Sequence, residues 1–138
     1  MPNQQFHILH VEDDDLDALN VQRMLRQSEV VTGIEVARDG VEALELLRSD
    51  RSDLHNLVIL LDICLPRMGG LEFLRALRAD PSLRHLPVVV LSTSNLDEDK
   101  AMAYEMNVAG YLIKPINPER FGRSLSAFVD YWANAELL

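Results

Sequence analysis

Leu57-Val58-Ile59-Leu60-Leu61-Asp62 is the stretch that decides the fold. Five apolar residues in a row, without alternation, read as a strand covered on both faces, as in a parallel sheet flanked by helices. The acid that ends the run then stands at the carboxyl end of a buried strand, where open α/β sheets keep their binding crevice. Other runs end in the same manner. Ile8-Leu9-His10-Val11 leads into Glu12-Asp13-Asp14-Asp15, and Val88-Val89-Val90-Leu91 leads into Ser92-Thr93. Tyr111-Leu112-Ile113 delivers Lys114. An acid cluster, a lone acid, a hydroxyl and a lysine therefore converge on one sheet edge, a combination suited to a metal ion and a phosphoryl group.

Working outward, short apolar strands alternate with longer amphipathic stretches. Strands are predicted at 6–11, 33–37, 57–61, 87–91 and 109–113, and helices at 15–28, 40–50, 70–79, 98–107 and 118–133. Five βα units of this kind specify an α/β fold, a doubly wound parallel sheet with helices on both faces. Asp39 with Glu42, and Asn95 with Glu98, have capping-box spacing. Asn117-Pro118 combines a cap with a proline at the first helical position, and Asp80-Pro81 stops the third helix. Phe121, Leu125, Phe128 and Trp132 form one apolar stripe on the last helix.

At 138 residues the chain has the size of a single domain, with residues 1–138 in one unit and its core at about 6–133. Its net charge of −9 argues against a nucleic-acid or anionic-membrane binder. Cys64 is the only cysteine, so no intrachain disulfide is possible. No run approaches the ~18 apolar residues of a membrane span, and no signal peptide is evident. A cytoplasmic protein without membrane or nucleic-acid partners is expected.

Like carboxylates held close repel one another unless a cation shares them. Glu12, Asp13 and Asp62 would be such a set, and Mg2+ suits it because it needs only one or two carboxylates plus phosphate oxygens. Asp14 and Asp15 also fit a plain helix start, where acids meet the dipole favourably. Asp62 itself can be a metal ligand or a nucleophile that forms an aspartyl phosphate. Lys114 reads as a point charge for phosphoryl oxygens or as a surface lysine, and Ser92 as a hydrogen-bond donor or a strand-end cap. The four histidines lack ligand spacing, and His10 reads as a packed side chain. Gly69-Gly70 is a loop signal. The glycine-rich dinucleotide fingerprint, the Walker loop and the serine nucleophile elbow are all missing.

Val11-Glu12-Asp13, the run from Leu61 to Gly70, Ser92-Thr93 and Tyr111-Leu112-Ile113-Lys114-Pro115 together resemble the response-regulator receiver domains of two-component signalling. The separations also match: 30 residues from Asp62 to Ser92 and 22 from Ser92 to Lys114. The resemblance implies the flavodoxin-like (βα)5 fold with strand order 2-1-3-4-5. It further implies that Asp62 is the phosphoacceptor, that Asp13, Asp62 and the Cys64 carbonyl bind Mg2+, and that Glu12 acts through metal-bound water. Ser92 becomes the switch hydroxyl, Lys114 the phosphate-pairing lysine and Tyr111 the aromatic switch residue. It also suggests a cis bond before Pro115. Glu12 stands where many members carry Asp, and Gly69 where an acid often precedes the glycine.

Leu65-Pro66-Arg67, Asp80-Pro81-Ser82-Leu83-Arg84 and the tail from Phe128 to Trp132 are similar to small stand-alone receivers that partner phytochrome-type kinases. The expected function is acceptance of a phosphoryl group from a sensor histidine kinase, not turnover catalysis. With no room for a DNA-binding module after residue 133, output would run through protein contact. Val108 and the aromatic last helix suggest a homodimer through the face of the fourth helix, fifth strand and fifth helix. The alternative is a pseudo-receiver that binds partners without phosphorylation. A phosphatase of related topology is disfavoured, because its Asp-x-Asp arrangement fails at Cys64.

Overall fold

A computed structural model of the chain describes residues 5–27, 31–65, 67–114, 119–120, 123–124, 127–128 and 130–131. Strands β1 (Phe6–Val11), β2 (Val31–Ala37), β3 (Leu57–Leu61), β4 (Val88–Ser92) and β5 (Gly110–Ile113) alternate with helices α1 (Asp15–Leu25), α2 (Gly40–Arg48), α3 (Gly70–Ala79) and α4 (Asp97–Glu105). The described positions from 119 to 131 are helical. All strand pairs are parallel, and the sheet order is β2-β1-β3-β4-β5, as expected for the flavodoxin-like topology.

The central strand explains the architecture. Every residue of β3 is buried, and alternate side chains point to opposite faces. Leu57, Ile59 and Leu61 join a core with Leu44 and Leu47 of α2 and Phe73, Leu74 and Leu77 of α3. Val58 and Leu60 join a second core with Val21 and Leu25 of α1. The unbroken apolar run is thus two half-cores written into one strand. β2, at the sheet edge, is only partly buried, and polar Thr32 breaks the apolar pattern at its start, so the strand begins two residues earlier than that pattern indicates.

The helix starts follow local chemistry. Asp14 caps α1 by accepting the Asp17 amide at 2.9 Å, and Asp39 caps α2 by accepting the Glu42 amide at 2.9 Å. Half of the capping box expected at Asp39 therefore forms, while Glu42 reaches one residue further back, to the Arg38 amide (3.2 Å). The expected box at Asn95 does not form. Leu96 is the N-cap of α4 without a side-chain cap, and the Ser94 hydroxyl receives the Leu96 amide at 3.4 Å. Ser94 lies two residues back and competes successfully as the local acceptor. α2 and α4 also end earlier than predicted, α4 giving way to Asn107 at φ 60°. Asn117, Pro118, Phe121, Leu125 and Trp132 lie outside the described residues, as does the Pro66 of the loop and the bond before Pro115.

His10 is fully buried on β1, and neither ring nitrogen has a partner among the described residues. Burial first, and then the charge of Lys114, pulls its pKa down to about 3. It is the packed, neutral histidine that its place in the strand implied. Val108, expected on an interface, is instead 7% exposed and belongs to the core beside Val88 and Val90. Arg78 supplies an interaction invisible in the sequence. Its fork donates to the carbonyls of Arg84, Leu86, Met106 and Asn107, tying the end of α3 to the loops before β4 and β5.

Gly70 is required by close approach. A Cβ there would lie 2.5 Å from both the Asp62 oxygen and the Ile63 Cα, whereas one on Gly69 would meet only the Ile63 oxygen at 4.0 Å. Gly70→Ala should therefore cost about 1–3 kcal/mol, the usual cost of overpacking, and Gly69→Ala clearly less. Urea unfolding of both variants measures this, and equal losses would contradict the close-approach argument.

Candidate functional site

The site is assembled by backbone ladders that run one residue beyond the strand ends. The Glu12 amide donates to Ala37 O (2.8 Å), the Asp62 amide to Val11 O (3.0 Å) and the Lys114 amide to Ser92 O (2.7 Å). Each functional residue is thereby fixed at the carboxyl edge of the sheet even though it follows its strand. The Leu61 pairing with Val11 makes Glu12 and Asp62 neighbours.

Glu12, Asp13 and Asp62 each offer a carboxylate oxygen, all within 4.8 Å of one another. Glu12 and Asp62 are buried and Asp13 is exposed, so the cluster opens toward solvent on one side. Burial drives the Glu12 carboxyl up to about 7, and the Asp62 charge adds to this, while Lys114 pulls the other way. The cluster fits a hard divalent cation: its donors are all oxygen, and it carries charge that the chain neutralises only in part. Asp62 Oδ1 meanwhile accepts the Cys64 amide at 3.0 Å, which orients the carboxylate. The Cys64 side chain is exposed and in no disulfide.

Lys114 reaches into this cluster from β5. Its Nζ donates to Glu12 Oε1, to Asp17 Oδ2 at 3.0 Å and to Asp62 Oδ2 at 3.2 Å. An ammonium has three N–H donors, and all three are used. Burial alone would lower its pKa, but the hydrogen bonds to Glu12 and Asp17 and the charges of Asp62 and Glu12 carry it above the ordinary lysine value. The lysine is therefore no surface group. Asp17 is the residue that sequence reasoning missed. As an acid in the first turn of α1 it looks like an ordinary dipole partner, and only the fold brings it to a lysine 97 positions away.

Ser92 is fully buried at the end of β4, and its hydroxyl accepts the Ser94 amide at 3.1 Å. The Ser94 carbonyl in turn accepts the Tyr111 hydroxyl at 2.9 Å, and the Ser94 hydroxyl donates to Asp99 Oδ2 of α4 at 2.5 Å. Burial pushes the Tyr111 phenol above its ordinary value. Ser92 and Tyr111 thus share Ser94 as a partner. On the opposite side, Arg67 (φ 58°) in the loop after β3 donates to Asp39 Oδ2 at 2.7 Å, joining that loop to the start of α2.

A proton on Glu12 removes a negative charge, and an acceptor for metal-bound water, from the cation's surroundings, so protonation and cation binding oppose each other. Mg2+ affinity should therefore rise with pH up to about 7, by at most about tenfold per unit, and level off above. Titration calorimetry at several pH values reads this. Glu12→Gln should flatten the profile, and a wild-type affinity independent of pH would exclude the competition. Asp13→Asn should weaken binding at every pH.

Comparison with known proteins agrees with this geometry. The sequence profile of the response regulator receiver domain matches residues 8–126. A probable methanogenesis regulatory protein, FilR2 of Methanothrix harundinacea, is 38% identical over 129 residues, spanning 92% of this chain and 83% of that protein. Response regulator Rcp1 of Synechocystis is 35% identical, over 91% of this chain and 87% of its own. The crystal structure of Mn2+-bound Rcp1 superposes with a TM-score of 0.81 at 31% identity, covering 96% of this chain and 99% of the other. The phosphorylated cyanobacterial phytochrome response regulator RcpA gives a TM-score of 0.81 at 33% identity, covering 96% and 98%. Among the described residues no helix is long and apolar enough to cross a membrane. With its 2-1-3-4-5 sheet, its acidic metal cluster and its matched profile, the chain belongs to the response regulator receiver domain family.

Proposed function

We propose that Asp62 accepts a phosphoryl group from a phosphohistidine of a sensor histidine kinase. The carrying observation is the contact of Lys114 Nζ with Asp62 at 3.2 Å, beside an acidic cluster able to hold Mg2+. Asp13, Asp62 and the Cys64 carbonyl would hold the ion, with Glu12 acting through metal-bound water. When bound, the ion supplies neutralisation of the phosphoryl oxygens. An Asp62 carboxylate oxygen attacks phosphorus in line, forming an O–P bond as the donor N–P bond breaks. The electron pair of that bond stays on the imidazole nitrogen. Lys114 turns one N–H from Asp62 to a phosphoryl oxygen, and Ser92 donates its hydroxyl hydrogen to another. This is positioning and electrostatic stabilisation, the usual burden in phosphoryl transfer.

We assign residues 1–138 to one receiver domain, acting in the cytoplasm through protein contacts and not on nucleic acid, which its net charge of −9 opposes. The likeness to RcpA, a phytochrome response regulator, supports a phytochrome-type kinase as partner. Leu96, Tyr104 and Tyr131 are each more than half exposed on the α4 side and the C-terminal helix, which supports a homodimer through the α4, β5 and C-terminal helix face. Val108, being buried, takes no part. Solution scattering at high concentration should return dimer dimensions, and a monomer with and without a phosphoryl analogue would remove this part of the proposal.

Incubation with acetyl phosphate or phosphoramidate should add the mass of one phosphoryl group, dependent on both Mg2+ and Asp62, with Asp62→Asn as control. No gain under any condition would favour a phosphorylation-independent interaction module. Once donor is removed, decay should take minutes or longer. Cys64 and Ser94, two residues beyond Asp62 and Ser92, lack the carboxylate or amide that would position water, and the Ser94 hydroxyl is committed to Asp99. Decay within seconds would contradict this.

A further inference from the structure

Asp17 lies at the third position of α1, where an acid spaced three residues from the N-cap ordinarily folds back onto the N-cap amide. Here that amide, on Asp14, is taken at 3.3 Å by Glu12 Oε2. The Asp14 side chain still receives the Asp17 amide, so half of the box is intact. The Asp17 carboxylate, released from the other half, accepts Lys114 Nζ at 3.0 Å. Two features thus point the same way: a capping acid displaced from its default partner, and a lysine whose donors are fully subscribed.

We infer that Asp17 is a positioning residue for phosphoryl transfer, anchoring Lys114 so that one N–H of its ammonium faces Asp62. This rests on the phosphoacceptor reading of Asp62 and specifies how its lysine is aimed. Lys114 comes from β5 on a flexible four-carbon stem, and a point-charge ammonium has no directional preference of its own. Glu12 holds it from the end of β1 and Asp17 from α1. With two N–H groups fixed on two elements, the third direction is set by tetrahedral geometry and falls on Asp62 Oδ2. The bond to Asp62 is the longest of the three, and it is the one surrendered when a phosphoryl oxygen takes its place. Asp17 is 43% exposed and is not in the metal cluster, so its task is separable from cation binding.

The required acceptor is an oxygen, not a charge. Asp17→Asn keeps an oxygen at the same reach, and Asp17→Ala removes it. Wild type, Asp17→Asn and Asp17→Ala are phosphorylated with phosphoramidate at saturating Mg2+, over a range of donor concentrations, and followed by intact mass. Calorimetry gives the Mg2+ affinity of each. The limiting rate of Asp17→Ala should fall by roughly tenfold, the rate equivalent of one charge-assisted hydrogen bond. The donor concentration at half-maximal rate and the Mg2+ affinity should stay unchanged. Asp17→Asn should run close to wild type, which a lost helix-dipole charge would not permit. An alanine variant as fast as wild type or faster overturns the inference, as does an asparagine variant slowed equally. A wild-type sample that takes no phosphoryl group refutes instead the phosphoacceptor reading on which the inference stands.

Discussion

The structure depends on a concentration of negative charge that the chain's own cations do not balance. Glu12, Asp13 and Asp62 converge within 4.8 Å, and Asp17 borders them through Lys114. Two unit charges at 4.8 Å, in surroundings of effective dielectric constant about 20, repel by roughly 3 kcal/mol. One ammonium shared among three carboxylates offsets part of that, and the protonation of Glu12 near neutral pH offsets more. A fold that keeps such a cluster does so at a cost to its own stability. The same repulsion is what makes a divalent cation fit.

The sheet makes that cost sustainable. The strained groups follow strands whose apolar residues are buried on both faces, and the ladder continues one amide beyond each strand end. Relaxing the repulsion would mean pulling Glu12, Asp62 or Lys114 off that ladder and exposing the core beneath. The loop after β3 is held from two further directions, by the absence of a side chain at Gly70 and by the Arg67 pair with Asp39. Carboxylates are therefore presented on a rigid edge, as a site acting by positioning needs.

Much of this was legible because the informative signals are local. An unbroken apolar run ending in an acid gives both the buried strand and the place of Asp62. The ordered set Glu12-Asp13, Asp62, Ser92 and Lys114 gives one edge and one chemistry. What escaped the sequence depends on competition between partners. Asp17 has the spacing of half a capping box, and nothing nearby reveals that Glu12 has already taken the amide it would use. Asn95 has the same spacing, and Ser94 wins. Val108 is a lone apolar residue beside a polar helix end, and only the placement of β4 shows that it faces inward. Pattern locates elements reliably, but it cannot decide which of two adjacent acceptors claims a donor.

Ser94 shows how the edge can be heard at a distance. Its amide binds the Ser92 hydroxyl, its carbonyl holds the Tyr111 hydroxyl, and its own hydroxyl holds Asp99 at the start of α4. Any movement of Ser92 toward a group on Asp62 disturbs this one residue and, through it, both the tyrosine and the helix. α4 is weakly anchored, since Ala103 is its only buried residue. α3, by contrast, buries Phe73, Leu74 and Leu77 and is pinned by Arg78. Under the phosphoacceptor proposal, a local charge event would act first on the weakly anchored helix and leave the well-packed one in place, because segments with few buried contacts open first. The sequence builds that asymmetry by giving α3 an apolar stripe and α4 an acidic, nearly stripeless run, Asp97-Glu98-Asp99-Lys100. Dense packing is thus placed at α3 and sparse packing at α4.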